Sequence, residues 1–168
     1  MTKNISLRRP KLFDLDQLFL WENNLDNSLF SDNPVFYTND QLKDFLSSHQ
    51  DIFLDTQIRY IIDLSGSPIG CIDLFDYDMI NSRAGVGVFI DEKFRNSGLG
   101  FKALSLLKTI SLKDYLISNL YANILSTNKV SIQLFEKAGF NKNGVKQNWI
   151  RTENSMEDVF FYQCFLES

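Results

Sequence analysis

The sequence predicts an α+β fold: a mixed, mostly antiparallel twisted sheet of about seven strands flanked by about four helices. Three observations predict it. From Gln57 to Ile90 apolar and polar residues keep a period close to two, broken only at turn residues. A helical period follows, with Leu99, Ala103, Leu106, Leu107 and Ile110 at i, i+4, i+7, i+8 and i+11. The chain then closes on two strand-like runs, "GVKQNWIR" and "EDVFFYQCFL", around the turn "TENS".

Taken in order, "ISLRRP" (Ile5 to Pro10) alternates and stops at proline, a short strand. Asp14 is placed to cap a first helix carrying Leu15, Leu18, Phe19 and Glu22. Asn23 to Tyr37 is polar, broken by Pro34, and reads as a long loop. Thr38 and Gln41 form a capping box for a helix from Asn39 to His49, with Leu42, Phe45 and Leu46 on one face. "QIRYIIDL" and "IGCIDLFDYD" around "SGSP" make a hairpin, and "RAGVGVFI" (Arg83 to Ile90) adds the inner strand of a meander. A helix from about Gly98 to Asp114, the buried strand "LYANI" and a helix from Asn128 to Gly139 complete the series before the last hairpin. Only Arg83 to Ile124 reads as a parallel βαβ crossover.

Composition narrows the function. With 168 residues, 44% of them apolar, the chain is read as one globular domain, residues 1–168. A net charge of -4 and no Lys/Arg cluster exclude a general nucleic-acid binder. No stretch has the apolar length of a membrane span and no leader is visible, so a soluble, cytoplasmic protein is expected. Cys71 and Cys164 lack C-x-x-C spacing and there is one histidine, so neither a disulfide nor a metal site is expected. His49 is read as a surface residue or a helix-end dipole partner rather than a catalyst.

The stretch "FRNSGLG" (Phe94 to Gly100) lies where a strand hands over to a helix. Its glycines permit close approach, and a helix start offers unpaired N–H groups to an anion. A tight connection with no ligand is the alternative. "GLGFKA" formally satisfies G-x-G-x-x-[GA], but a dinucleotide fold needs that motif at the first strand of a repeating βαβ sheet, with an acid after the next strand. Here an antiparallel meander precedes it, and no Asp or Glu follows "LYANI" before Glu136.

Read with Arg95 as R-x-x-G-x-G, and followed by "NKVSIQLFEKAGF" (Asn128 to Phe140), the pattern resembles the GNAT superfamily of acetyl-coenzyme A dependent N-acetyltransferases. The likeness runs from "ISLRRP" to the final hairpin. It is nearest to the branch holding spermidine and ribosomal-protein N-acetyltransferases. It implies a GNAT-like sheet and acetyl-coenzyme A as cosubstrate. It also implies that Arg95, Asn96, Ser97, Gly98, Leu99 and Gly100 wrap the pyrophosphate. Pantetheine would run past backbone groups of Val88, Phe89 and Ile90, with Asn128 and Phe135 beside it. A homodimer is compatible with the likeness. Two residues depart from it: Gly85 stands where many relatives carry an acid, and Phe135 where many carry a tyrosine.

Acetyl transfer to an amine needs a neutral nitrogen, an aligned thioester and a proton for the departing thiolate. Asp73 and Glu22 are candidates for the base, and Tyr121 or Tyr162 for the acid. Glu22, Asp73 and Asp76 are also placed to receive a cationic acceptor, a polyamine or other small amine, though these acids and Asp78 equally fit solvated strand ends. An amino sugar or a protein N-terminus stays open as acceptor, and so does a coenzyme A binding module without catalysis. Trp149 and Tyr162 are read as core or dimer contacts before pocket walls. Gly85 and Gly87 share one face of their strand and leave it bare, either for the cofactor or for a neighbouring aromatic.

Overall fold

A computed structural model describes residues 4–24, 35–152 and 154–167. Most of the loop expected between Asn23 and Tyr37 lies outside the described residues. Among the described residues seven strands form one sheet: β1 (Ile5–Arg8), β2 (Ile58–Leu64), β3 (Ser67–Asp78), β4 (Arg83–Ile90), β5 (Asn119–Leu125), β6 (Asn141–Arg151) and β7 (Met156–Phe165). Their spatial order is β1-β2-β3-β4-β5-β7-β6. Five helices accompany them among the described residues: α1 (Leu15–Glu22), α2 (Asn39–Ser47), α3 (Ile52–Asp55), α4 (Leu99–Tyr115) and α5 (Lys129–Lys137). The α+β expectation holds, with one helix more than read. The addition is α3, a single turn capped by Asp51, whose side chain accepts from the N–H of Phe53 at 2.9 Å. Four residues are too few to show a period.

Every neighbouring pair of strands is antiparallel except β4 and β5, joined in parallel by the α4 crossover. That parallel ladder is short. Arg83, Ala84 and Gly85 pair with Asn119, Leu120 and Tyr121, and there the pairing ends. Each strand keeps its other neighbour to the end: β4 pairs with β3 as far as Ile90, and β5 with β7 as far as Leu125. The sheet therefore opens into a seam between the last halves of β4 and β5.

The two faces of the sheet are covered differently. Ile62, Ile72, Leu74, Val86, Leu120 and Ile124 point into the main core, under Leu99, Ala103, Leu104 and Leu107 of α4 and Phe135 of α5. On the opposite face a smaller core gathers Leu18 and Trp21 of α1 against Ile61 and Cys71. The buried stripe of α4 differs from the expected one, because Leu104 is wholly buried while Leu106 is 37% exposed. A 17-residue helix that packs on both the sheet and α5 turns its inner face away from a strict i, i+4 line.

Local signals mostly act as read. Thr38 and Gln41 close a capping box, with bonds of 3.2 and 2.8 Å. Gly139 ends α5 in the left-handed region at φ 87°. Asp14 is a correction: it sits at the start of α1 but makes no side-chain cap. Its buried carboxylate instead takes two bonds from Arg8, at 2.7 and 2.8 Å, and one from the N–H of Lys11. α2 stops at Ser47, two residues short of His49. No helix among the described residues is long and apolar enough to cross a membrane.

Candidate active site

The seam is flanked by the stretch that the sequence singled out. β4 leads through a 3₁₀ turn (Glu92–Phe94) into Arg95 to Gly98, and α4 begins at Leu99. Asn96 and Gly98 both adopt positive φ, 58° and 76°, a conformation that glycine takes without a Cβ penalty. Among the described residues, a Cβ added at Gly98 would meet nothing within 4 Å. The first intrahelical acceptor is the Gly98 carbonyl, taken by Lys102 N at 3.2 Å, which leaves the N–H groups of Leu99, Gly100 and Phe101 at the helix end. Gly100 has a different reason. An added Cβ there would lie 3.1 Å from Leu134 Cδ2, so this glycine lets α4 start close against α5.

The Arg95 Nε donates to the Ile90 carbonyl at 2.9 Å, and its guanidinium lies over the Phe89 ring. Ser97 Oγ donates to the Phe94 carbonyl, tightening the turn. Val88 and Ile90 pack their side chains against the main core, while Phe89 points the other way, 5.5 Å from Trp21. Trp21 in turn donates to Asp91 at 2.9 Å, pinning α1 beside the mouth of the seam. Leu99 is buried, so only its backbone can face outward. Across the seam Asn128 caps α5 by accepting from the N–H of Ser131 at 3.1 Å. Phe135 is 3% exposed and packs edge-on against Phe140 at 4.9 Å.

On the α1 side lies a cleft of about 510 Å³, lined by Glu22, Tyr37, Phe45, Arg59, Asp73 and Phe75 and extending to His49. Its centre is Arg59, which sequence reasoning missed. Arg59 Nε and Nη2 donate to the two oxygens of Asp73 at 2.8 and 2.7 Å, and Nη1 donates to Glu22 Oε1 at 2.5 Å. Burial opposes the charge on Arg59, yet Asp73 and Glu22 hold it well above its ordinary value, so this guanidinium stays charged. Glu22 and Asp73, expected to work together, are indeed brought together, but by a shared cation. The signal was present in the hairpin, where Arg59 is the strand partner of Asp73.

Asp76 sits apart from them. It lies at a bulge in β3, with φ 49°, and accepts from the Tyr121 hydroxyl at 2.9 Å. Burial, and then the bond to Asp76, raise the Tyr121 pKa above its ordinary value. The Tyr121 ring touches Phe75 on one side and Phe161 on the other. The glycine face is less bare than expected. At Gly85 the Phe75 ring occupies the space, 2.3 Å from where a Cβ would stand, and only Gly87 remains open. Tyr162 lies on the opposite face, donating to Glu136 at 2.9 Å and pushed up to about 12, first by burial. Trp149, 57% exposed on the edge strand β6, lies outside the residues lining the cleft. A second polar group also went unread: Asn123 Oδ1 is buried without a partner among the described residues.

The seven-stranded sheet thus opens at one seam, with a glycine-bearing helix start at its mouth and an acid-lined cleft on one face. The chain belongs to the GNAT acetyltransferase family: the acetyltransferase (GNAT) domain matches residues 4–141. Among curated relatives, spermidine N(1)-acetyltransferase of Escherichia coli K12 is 21% identical over 141 residues, covering 84% of this chain and 75% of that protein. The structure of spermidine N-acetyltransferase from Vibrio cholerae in complex with CoA and spermine superposes with a TM-score of 0.87 at 18% identity, covering 96% and 95% of the two chains. RimL, a ribosomal L7/L12 alpha-N-protein acetyltransferase in complex with coenzyme A, gives 0.84 at 18% identity, covering 98% and 96%. At these identities the superpositions establish a shared fold.

Proposed function

We propose that residues 1–168 form a single acetyl-coenzyme A dependent N-acetyltransferase domain, cytoplasmic in setting, that passes an acetyl group directly to a primary amine. The acceptor we favour is a polyamine or another small amine. The observation that carries the reading is the seam beside Gly98: a β4 edge that, among the described residues, is unpaired beyond Gly85 and leads into a helix start with no described atom within 4 Å of an added Gly98 Cβ. The backbone of Arg95, Asn96, Ser97, Gly98, Leu99 and Gly100 takes the pyrophosphate. Val88, Phe89 and Ile90 offer the β4 edge to the pantetheine arm, with Asn128 and Phe135 on the α5 side. When bound, the cosubstrate supplies an activated thioester.

Direct transfer is favoured by the state of one buried thiol. Cys71, which is the Cα partner of Ile61 and Phe89, is buried, and burial pushes its ionisation up to about 12. A thiol held neutral is a poor nucleophile, which disfavours a covalent acetyl-cysteine step. The acceptor enters beside Glu22 and Asp73, which line the cleft, with Asp76 set apart at Tyr121. Both Asp73 oxygens are engaged by Arg59, whereas Glu22 commits one, so Glu22 is the base we assign. Tyr121, protonated and at the edge of the seam, is the acid we assign for the leaving thiolate. The Vibrio cholerae neighbour holding CoA and spermine favours the polyamine class.

Titration calorimetry with acetyl-coenzyme A and a thiol-release assay over spermidine, spermine, an amino sugar and an N-terminal peptide test this. Binding and turnover of an amine are expected. Gly98→Glu, which places a carboxylate and a strained left-handed residue before α4, is expected to weaken coenzyme A binding at least about tenfold and to cost about 1–2 kcal/mol of stability. Binding without turnover of any acceptor would instead establish a coenzyme A binding module. No binding at all defeats the proposal.

A further inference from the structure

Asn123 Oδ1 is shut off from solvent and accepts no hydrogen bond among the described residues. An amide oxygen left this way is destabilising, so its retention needs an account. Asn119 Oδ1 shares that state, but Asn119 stands where β4 still covers its strand, opposite Arg83. Asn123 stands beyond the end of that ladder.

Two geometric facts place it. Strand alternation puts Asn123 on the face of Tyr121, which meets Phe75 and Phe161, while Ala122 and Ile124 fill the main core behind. Register puts it level with Gly87, since the parallel pair Gly85 and Tyr121 is followed two residues later by Gly87 and Asn123, now with the seam between them. Gly87 is the one bare glycine of the face, its nearest neighbour being Phe75 Cε1 at 3.9 Å from an added Cβ. Asp73 pairs with Gly87 on its far side, and Arg59 pairs with Asp73. One row across the sheet thus runs Arg59, Asp73, Gly87, the seam, Asn123 and Phe161. The cleft carboxylates and the amide oxygen thus lie in one row, with Gly87 and the seam between them.

We propose that Asn123 orients the attacking amine: its Oδ1 accepts one N–H of the neutral acceptor nitrogen and turns the lone pair toward the thioester carbon. This rests on the acetyl-transfer reading above. The nitrogen lone pair forms the C–N bond, and the C–S bond breaks with its electron pair leaving on sulfur. The surplus proton of the nitrogen ends on that sulfur, giving the free thiol. Asn123 gains and loses no proton; its contribution is direction. Each Asp73 oxygen already accepts from Arg59, which fixes that carboxylate toward the guanidinium. The carboxamide oxygen is the acceptor in the row that carries no such claim.

Wild type, Asn123→Leu and Asn123→Asp are compared by coenzyme A calorimetry, by thermal melting and by kcat/KM for spermidine or the fastest amine of the panel. In Asn123→Leu, kcat/KM for the amine is expected to fall at least about tenfold, chiefly in kcat. Coenzyme A affinity stays within about twofold and the melting temperature is unchanged or higher, because an unsatisfied amide has been removed. Asn123→Asp, which restores an oxygen at the same point, recovers most of the loss. Equal kcat/KM in wild type and Asn123→Leu overturns the inference and leaves the acetyl-transfer reading standing. A loss of turnover accompanied by weakened coenzyme A binding or a lower melting temperature overturns it too, since that marks a scaffold residue. A wild type that acetylates no amine defeats the reading on which it rests.

Discussion

Tyr121 holds its hydroxyl where β4 and β5 part, bonded to Asp76 and wedged between Phe75 and Phe161. Burial and the carboxylate both favour its neutral form, so the proton stays on the oxygen through and beyond the ordinary tyrosine range near pH 10. Any activity limb seen below that pH belongs to another group. Tyr121→Phe is expected to lower kcat roughly a hundredfold while coenzyme A affinity holds, and unchanged kcat under the same assay would remove Tyr121 from the proton path. At this scale the sequence showed what is local and hid what is not. The glycine joint and the Asn128 cap declare themselves within a few residues of chain. Arg59 gains its meaning only from Glu22, 37 positions earlier, and Asp73, 14 later. Asn123 looks like one polar residue in an apolar strand until the register shows β4 leaving its side.

Strand and helix identities follow from period, and the elements that escaped notice lack one. α3 is a single turn, and β6 begins three residues before the run that announced it, in a polar stretch paired edgewise to β7. The boundary between β3 and β4 carries a tighter requirement. Phe75 needs the room that Gly85 leaves, and the ring so seated supports Tyr121. Gly85→Ala would set a Cβ inside that ring, so a loss of about 1–3 kcal/mol in denaturant melts is expected, with displacement of Phe75 and slower turnover. A variant as stable as the wild type would show that the ring shifts freely. The absent acid at position 85 thus has a packing reason that the chain alone could not disclose, because Phe75 and Gly85 meet only through the β3 to β4 register.

Across the whole molecule Arg8 ties the first strand both to the start of α1 and to the neighbouring strand β2, donating to buried Asp14 and, at 2.8 Å, to Asp63. Arg8→Met strands two carboxylates, and a loss of about 3 kcal/mol is expected by chemical denaturation at neutral pH. Burial works against the charge on Asp63, but Arg8 and the N–H of Gly66 hold its carboxyl below the ordinary value. A depressed carboxylate contributes stability that is complete above its unfolded value of about 4 and is lost as pH falls through its lower folded value. The difference between wild type and Arg8→Met should accordingly narrow below pH about 4; a constant difference would place the effect in packing alone. The seam has a consequence in time as well as in space. It divides the chain where α4 divides it, with β1 to β4 wholly before that helix and β5 to β7 wholly after. During synthesis the β2 to β4 meander can therefore assemble by local pairing, with β1 added at its edge, while the remainder is still unmade. The groove comes into being last, when the second half docks through three residue pairs and a helix.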